Sequence, residues 1–216
     1  MTREEAKTRL EKVGILPGIR VHAAADALYA AETIYNAGIP IAEITMTVPG
    51  AVNAIKQLVQ RLPEMLVGAG TVLDAETAQR CVDAGAGFLT SPGLVPDVVA
   101  CALKANVLAI PGALTPTEVI AAWRAGGDFV KIFPAAPMGG DLYLRALKVP
   151  LPQVPLIAAG GVNQQTAVSF IRAGASALGV GMELLPKDAV RRREDHRIQE
   201  LARRFLGFVA EARAQG

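Results

Sequence analysis

Eight apolar runs recur along the chain at nearly constant spacing, and this rhythm limits the available folds more than any other feature. The runs begin near Val13, Ile41, Met65, Phe88, Val107, Phe129, Val154 and Ala177, so that successive starts lie 28, 24, 23, 19, 22, 25 and 23 residues apart. Each interval holds one strand, one helix of roughly 10–15 residues and two short loops, the βα rhythm of a parallel sheet. The runs are continuous rather than alternating, as in Leu66-Val67-Gly68-Ala69-Gly70 and Phe129-Val130-Lys131-Ile132-Phe133. Continuous runs suit strands covered on both faces. Eight such units close into a (β/α)8 TIM barrel of the α/β class, compact at 216 residues and read as a single domain. The competing architecture is an open doubly wound sheet, whose usual marker is a G-x-G-x-x-G turn after the first strand. Here that loop reads Leu16-Pro17-Gly18-Ile19-Arg20. An amphipathic N-terminal helix, Arg3 to Leu10, is placed to plug the bottom of the ring. Glu194 to Ala212, with Ile198, Leu201, Phe205 and Phe208 on one stripe, reads as the eighth barrel helix.

Composition removes several classes of function. The 22 basic and 20 acidic residues leave a net charge of +2. A nucleic-acid binder would show a basic excess or stripe, and the dense run Arg191-Arg192-Arg193 reads as the solvated start of a helix. No apolar stretch reaches the roughly 18 residues a bilayer span requires. The first residues, Met1-Thr2-Arg3-Glu4-Glu5-Ala6-Lys7, carry charges where a signal peptide needs an apolar segment. Cys81 and Cys101 are too few for a disulfide framework. The expected setting is soluble, reduced and cytoplasmic. His22 and His196 are the only histidines and neither has a second at ligand spacing, so a histidine-based metal centre is not expected. That scarcity says nothing against a carboxylate-only Mg2+ site.

In a barrel the chemistry belongs at the C-terminal strand ends. Lys131 is the most informative residue there, because it interrupts an otherwise buried run, Asp128-Phe129-Val130-Lys131-Ile132-Phe133-Pro134. Lysine is rarely buried unless paired, and apolar surroundings favour the free amine, which can attack a carbonyl. Its structural alternative is a strand-end ion pair. Glu43 likewise breaks Ile41-Ala42-Glu43-Ile44-Thr45-Met46 and suits proton shuttling; its alternative is to be the structural partner of a buried cation. Gly160-Gly161 after the seventh run and Gly179-Val180-Gly181 at the eighth lie where barrels often hold phosphate on backbone N–H groups, though glycine doublets are also common turns. Asn163 reads as the cap of the helix that follows the doublet. Thr71, ending Val67-Gly68-Ala69-Gly70-Thr71, reads as a ligand contact beside glycines that let a backbone approach closely, or as a helix N-cap. Trp123 and Tyr143 read as packing residues on outer helices.

Together these strand ends resemble a known family. Glu43 at the second, Gly68-Ala69-Gly70-Thr71 at the third, Ser91-Pro92-Gly93 at the fourth, Ile110-Pro111-Gly112 at the fifth, Lys131-Ile132-Phe133-Pro134 at the sixth and Gly160-Gly161 at the seventh are similar, in order, to the bifunctional 2-keto-3-deoxy-6-phosphogluconate (KDPG) / 4-hydroxy-2-oxoglutarate (KHG) aldolases. The likeness runs from about Val13 to Leu185. It implies a class I aldolase, independent of metal or other cofactor, typically a homotrimer, that cleaves a small keto acid to pyruvate and an aldehyde. It implies Lys131 as the Schiff-base lysine, Glu43 as the general acid/base, Thr71 as a hydroxyl beside the pyruvyl carboxylate and Pro92 as a wall. Some members clamp that carboxylate with an arginine where this chain has Thr47. Others, with Thr-Val-Pro there, carry the arginine at the end of strand one. Thr47-Val48-Pro49 and Arg20 resemble the second pattern, and a bidentate clamp from Arg20 follows.

Two departures concern the substrate's far end. The family's Thr-Gly-Gly is Ala159-Gly160-Gly161, and its usual serine after the last glycine is Met182, followed by Glu183. A lost hydroxyl and an added carboxylate weaken phosphate binding, leaving backbone N–H groups of Gly160, Gly161 and Gly181 to serve. The implied reaction is therefore cleavage of KDPG to pyruvate and glyceraldehyde 3-phosphate. Its alternative is the same chemistry on 4-hydroxy-2-oxoglutarate, 2-keto-3-deoxygluconate or a galactonate-type acid. A reading of another class keeps the barrel as a phosphate binder in which Lys131 and Glu43 are a structural ion pair.

Overall fold

The computed structural model describes residues 1–214. After helix α1 (Arg3–Val13), strands and helices alternate as β1 (Ile15–Ile19), α2 (Ala24–Asn36), β2 (Ile41–Thr45), α3 (Ala51–Arg61), β3 (Leu66–Gly70), α4 (Ala75–Asp83), β4 (Phe88–Thr90) and α5 (Pro96–Lys104). The second half runs β5 (Leu108–Ile110), β6 (Gly112–Ala113), α6 (Pro116–Arg124), β7 (Val130–Ile132), α7 (Gly140–Lys148), β8 (Leu156–Ala159), α8 (Ala167–Arg172), β9 (Ala175–Val180), α9 (Lys187–Arg192) and α10 (Asp195–Ala214). All strands pair in parallel in the order β5-β4-β3-β2-β1-β9-β8-β7-β6. The two outermost strands are consecutive in the chain, so they complete the ring and the expected (β/α)8 barrel is the fold.

Nine strands appear where eight runs were read because the fifth is interrupted at Pro111. Proline has no N–H to give to a ladder, yet its carbonyl still accepts from Lys131 N at 2.9 Å, and the chain resumes pairing at Gly112 opposite Lys131. Lys131 therefore lies on β7, the sixth rung of the ring.

The floor is apolar. Leu16, Ile41, Leu66, Phe88, Leu108, Phe129, Ile157 and Ala177 form one buried cluster inside the ring, and Ala6 and Leu10 of α1 pack onto it. The helix thus plugs the bottom, and it runs to Val13, three residues beyond the expected end. Thr2 and Glu5 form a capping box at its start and Gly14 closes it at φ 69°. Arg3 ties the plug to the ring: its guanidinium meets the Asp128 carboxylate at 2.8 Å, and Asp128 Oδ2 also accepts from Ala109 N at 2.8 Å. The buried stripe of α10 is Ile198, Ala202, Phe205, Val209 and Ala212, with Leu201 and Phe208 only half-covered at its flank. Trp123 packs at the edge of the outer core, and the Tyr143 hydroxyl donates to the Leu114 carbonyl. No helix among the described residues is long and apolar enough to cross a membrane.

Candidate active site

The site begins two residues above the floor. Side chains two apart on a strand share a face, so Ile41 on the floor places Glu43 above it, and Phe129 places Lys131. Both are enclosed: Glu43 is 2% exposed and Lys131 6%. They reach each other from β2 and β7, on opposite halves of the ring, with Lys131 Nζ 3.7 Å from Glu43 Oε2. That separation is an ion-pair contact but longer than a hydrogen bond. The Phe133 ring lies 5.9 Å from the same nitrogen.

Small residues make the room. Gly70 on β3 lies against the carboxylate, and a Cβ there would come within 2.2 Å of Glu43 Oε1. Gly18 and Gly179 hold the matching level on β1 and β9, and both line a cavity of about 520 Å³ that opens over the Lys131–Glu43 pair. Arg20, just past the end of β1, forms part of its wall and is exposed, without an ion pair or hydrogen bond among the described residues. On the far side stand Gly160 and Gly161, at φ 85° and 86°. A side chain at Gly161 would strike Ala136 Cβ at 2.5 Å, besides the strain of that backbone region. Gly181, Met182 and Glu183 complete this end, with Met182 63% exposed. Asn163 also lines it; its Oδ1 accepts from the N–H groups of Gln165 and Thr166 at 3.0 Å each, so it caps a turn ahead of α8 rather than the helix itself.

The structure therefore brings Arg20, Glu43, Lys131, Gly160, Gly161 and Gly181 to one cavity. It does not bring Thr47, Thr71 or Pro92 to the wall of that cavity. Thr47 is exposed, its hydroxyl 2.8 Å from that of Thr45, which donates to the Ile19 carbonyl at 3.0 Å. Thr71 is half-buried in the left-handed region at φ 59°. It is not a helix cap: Asp74 caps α4, accepting from Thr77 N at 2.7 Å. Pro92 is exposed, and its backbone fills the space beside Gly112. Two residues escaped the sequence reading. Thr90, wholly buried, donates its hydroxyl to Glu43 Oε2 at 2.9 Å. Lys187, at the start of α9, places a cation on the cavity wall next to Glu183. A polar residue closing an apolar strand was the available signal for Thr90, but threonine is a common strand former.

The family model for KDPG and KHG aldolase matches residues 6–201. The chain belongs to the KDPG and KHG aldolase family. It is 32% identical over 206 residues to the 2-dehydro-3-deoxy-phosphogluconate aldolase of Pseudomonas aeruginosa, covering 95% of this chain and 94% of that protein. It is 30% identical over 201 residues to the KHG/KDPG aldolase of Escherichia coli, covering 93% and 94%. Among solved structures, it superposes with a TM-score of 0.84 and 29% identity on KDPG aldolase from Legionella pneumophila with pyruvate captured at low pH as a covalent carbinolamine intermediate, covering 91% of this chain and 96% of that one. Membership in the aldolase family gives the cavity its context: a ring of strands whose floor is sealed and whose enclosed second level carries the Lys131 amine and the Glu43 carboxylate.

Proposed function

We propose that this protein is a class I aldolase that cleaves a 2-keto-3-deoxy sugar acid, foremost KDPG, to pyruvate and glyceraldehyde 3-phosphate. The observation that carries the reading is the enclosed Lys131–Glu43 pair, 3.7 Å apart, opening onto a cavity sized for a small sugar acid. The neutral amine of Lys131 adds to the C2 carbonyl, and the carbinolamine loses water to give an iminium ion. The Legionella protein was captured with pyruvate at the carbinolamine stage. Glu43 accepts the proton of the C4 hydroxyl, directly or through water. The C3–C4 electrons flow into the iminium, the aldehyde leaves, and an enamine remains. Glu43 returns a proton to C3, and water hydrolyses the resulting pyruvate imine, freeing Lys131. Arg20 holds the substrate carboxylate as a charge-assisted clamp. Thr47, Thr71 and Pro92, outside the cavity wall, are proposed to meet the substrate only at its rim. No metal enters any step.

Backbone N–H groups of Gly160, Gly161 and Gly181 are proposed to face the distal phosphate, with Lys187 supplying the cation that Met182 and Glu183 do not. Met182 and Glu183 at this end favour a second reading, in which the tail is not phosphorylated and the substrate is 4-hydroxy-2-oxoglutarate, 2-keto-3-deoxygluconate or a galactonate-type acid. The deciding experiment is pyruvate release from phosphorylated and unphosphorylated gluconate- and galactonate-type acids, alongside glyoxylate release from 4-hydroxy-2-oxoglutarate. KDPG should lead in kcat/KM by at least about tenfold, the worth of a phosphate contact. The reverse order would select the second reading, and no pyruvate from any acid would overturn both. We further propose a cytoplasmic homotrimer, on the family resemblance, which a solution mass measurement tests.

A further inference from the structure

We propose that Thr90 is a positioning residue for the lyase reaction: its hydroxyl holds the Glu43 carboxylate in its proton-transfer pose while Lys131 changes charge. This rests on the aldolase reading above. Three observations support it. The Thr90 hydroxyl is enclosed and donates to Glu43 Oε2 at 2.9 Å, the same oxygen that faces Lys131 Nζ at 3.7 Å. On the other side Oε1 sits against Gly70, where any Cβ would displace it, so this carboxylate lies between a glycine face and the Thr90 hydroxyl. Finally, Thr90 closes β4, a strand of three buried residues, at a position where valine would fill the same space without a polar atom to satisfy.

The chemical reason lies in the reaction cycle. While Lys131 is an ammonium, attraction across 3.7 Å helps to hold the carboxylate. The free amine has lost that charge, the iminium that follows regains it at a displaced nitrogen, and the enamine loses it again. The bond from Thr90 does not depend on the state of Lys131. It also differs from a second carboxylate or an arginine in leaving the net charge of the site unchanged. A hydroxyl on a ladder strand is thus the fixed partner of the acid/base, and its removal lets Glu43 turn towards the space beside Gly18, whose own Cβ would stand 3.8 Å from Oε1.

The test uses Thr90→Val, which keeps shape and strand preference, and Thr90→Ser, which keeps the hydroxyl. Exchange of the pyruvate methyl protons into deuterated water reports proton transfer by Glu43. Borohydride trapping with pyruvate counts the sites that form an imine. Exchange at saturating pyruvate, divided by trapped sites, removes any misfolded fraction. Thr90→Val should lower this ratio by about ten- to a hundredfold, as expected for a reacting group misplaced by ~1 Å, with KM for pyruvate within about twofold. Thr90→Ser should recover most of the rate. A Thr90→Val ratio equal to wild type, or a serine variant as slow as the valine one, overturns the proposal. If wild type itself traps no pyruvate, the aldolase reading falls, a result separable from failure of the Thr90 role alone.

Discussion

The floor and the mouth of this barrel are built by the same strands two residues apart, yet they are opposites. On the floor, Leu16, Ile41, Leu66, Phe88, Phe129, Ile157 and Ala177 fill the ring and α1 closes it. About 6.6 Å further along the strands, one pleat repeat, stand Gly18, Glu43, Gly68, Thr90, Lys131, Ala159 and Gly179. Glycine, alanine or a polar group stands at this level on seven rungs, while β5 keeps a large apolar side chain, Ile110 above Leu108. A packed barrel thus opens a cavity inside its own ring, which the loops after β1, β8 and β9 then wall. The floor supplies stability and excludes water from below, and the second level leaves room for substrate and for one opposed pair of charges, Lys131 and Glu43.

The comparison can be broken at either level. Lys131→Met at the mouth removes the amine and should lower kcat/KM for aldol cleavage by at least ~10⁴-fold, as loss of a covalent nucleophile does, while circular dichroism and Tm stay near wild type. Glu43→Gln keeps the shape and the bond from Thr90 but cannot carry a proton. Steady-state turnover should drop by about 10²–10⁴-fold, with pyruvate still trapped on the lysine, more slowly. At the floor the signature inverts. Leu10→Ala on the plug should cost about 2–5 kcal/mol in a urea melt, the transfer and cavity terms of a buried leucine, with kcat of the folded fraction unchanged. A Leu10→Ala protein with normal stability and altered kcat would erase the division of labour. Arg20→Met, at the rim, should act least: KM for pyruvate and for the keto acid should rise about ten- to a hundredfold, the loss of a charged hydrogen-bond partner, with kcat little changed.

Much of this was legible in the chain. Lys131 and Glu43 betray themselves as single charges inside apolar runs, and the repeat of those runs places both at strand ends of one ring. The plug was legible from the amphipathic pattern around Ala6 and Leu10. Other features depend on which strand faces which. Thr90 looks like β-branched filler until β4 and β2 are set on either side of β3 and its hydroxyl finds Glu43. The hollow made by Gly18, Gly70 and Gly179 follows from register, because each glycine alone reads as a turn or a tolerated defect. The break at Pro111 was visible as a residue but not as a strand boundary, since the ladder continues on both sides of it. Thr47, Thr71 and Pro92 were placed by motif, and the cavity wall does not include them. Thr71, at φ 59°, turns the chain there in a way its residue type does not announce.

The central claim is that Lys131 forms a covalent imine with the keto acid, and it can be read directly. The protein is incubated with pyruvate and sodium borohydride, digested, and mapped by mass spectrometry. A reduced pyruvyl group should appear on the peptide carrying Lys131, activity should fall in proportion to labelling, and Lys131→Met should take no label. Label on another lysine, or an unlabelled protein that still cleaves keto acid under the same conditions, would contradict it.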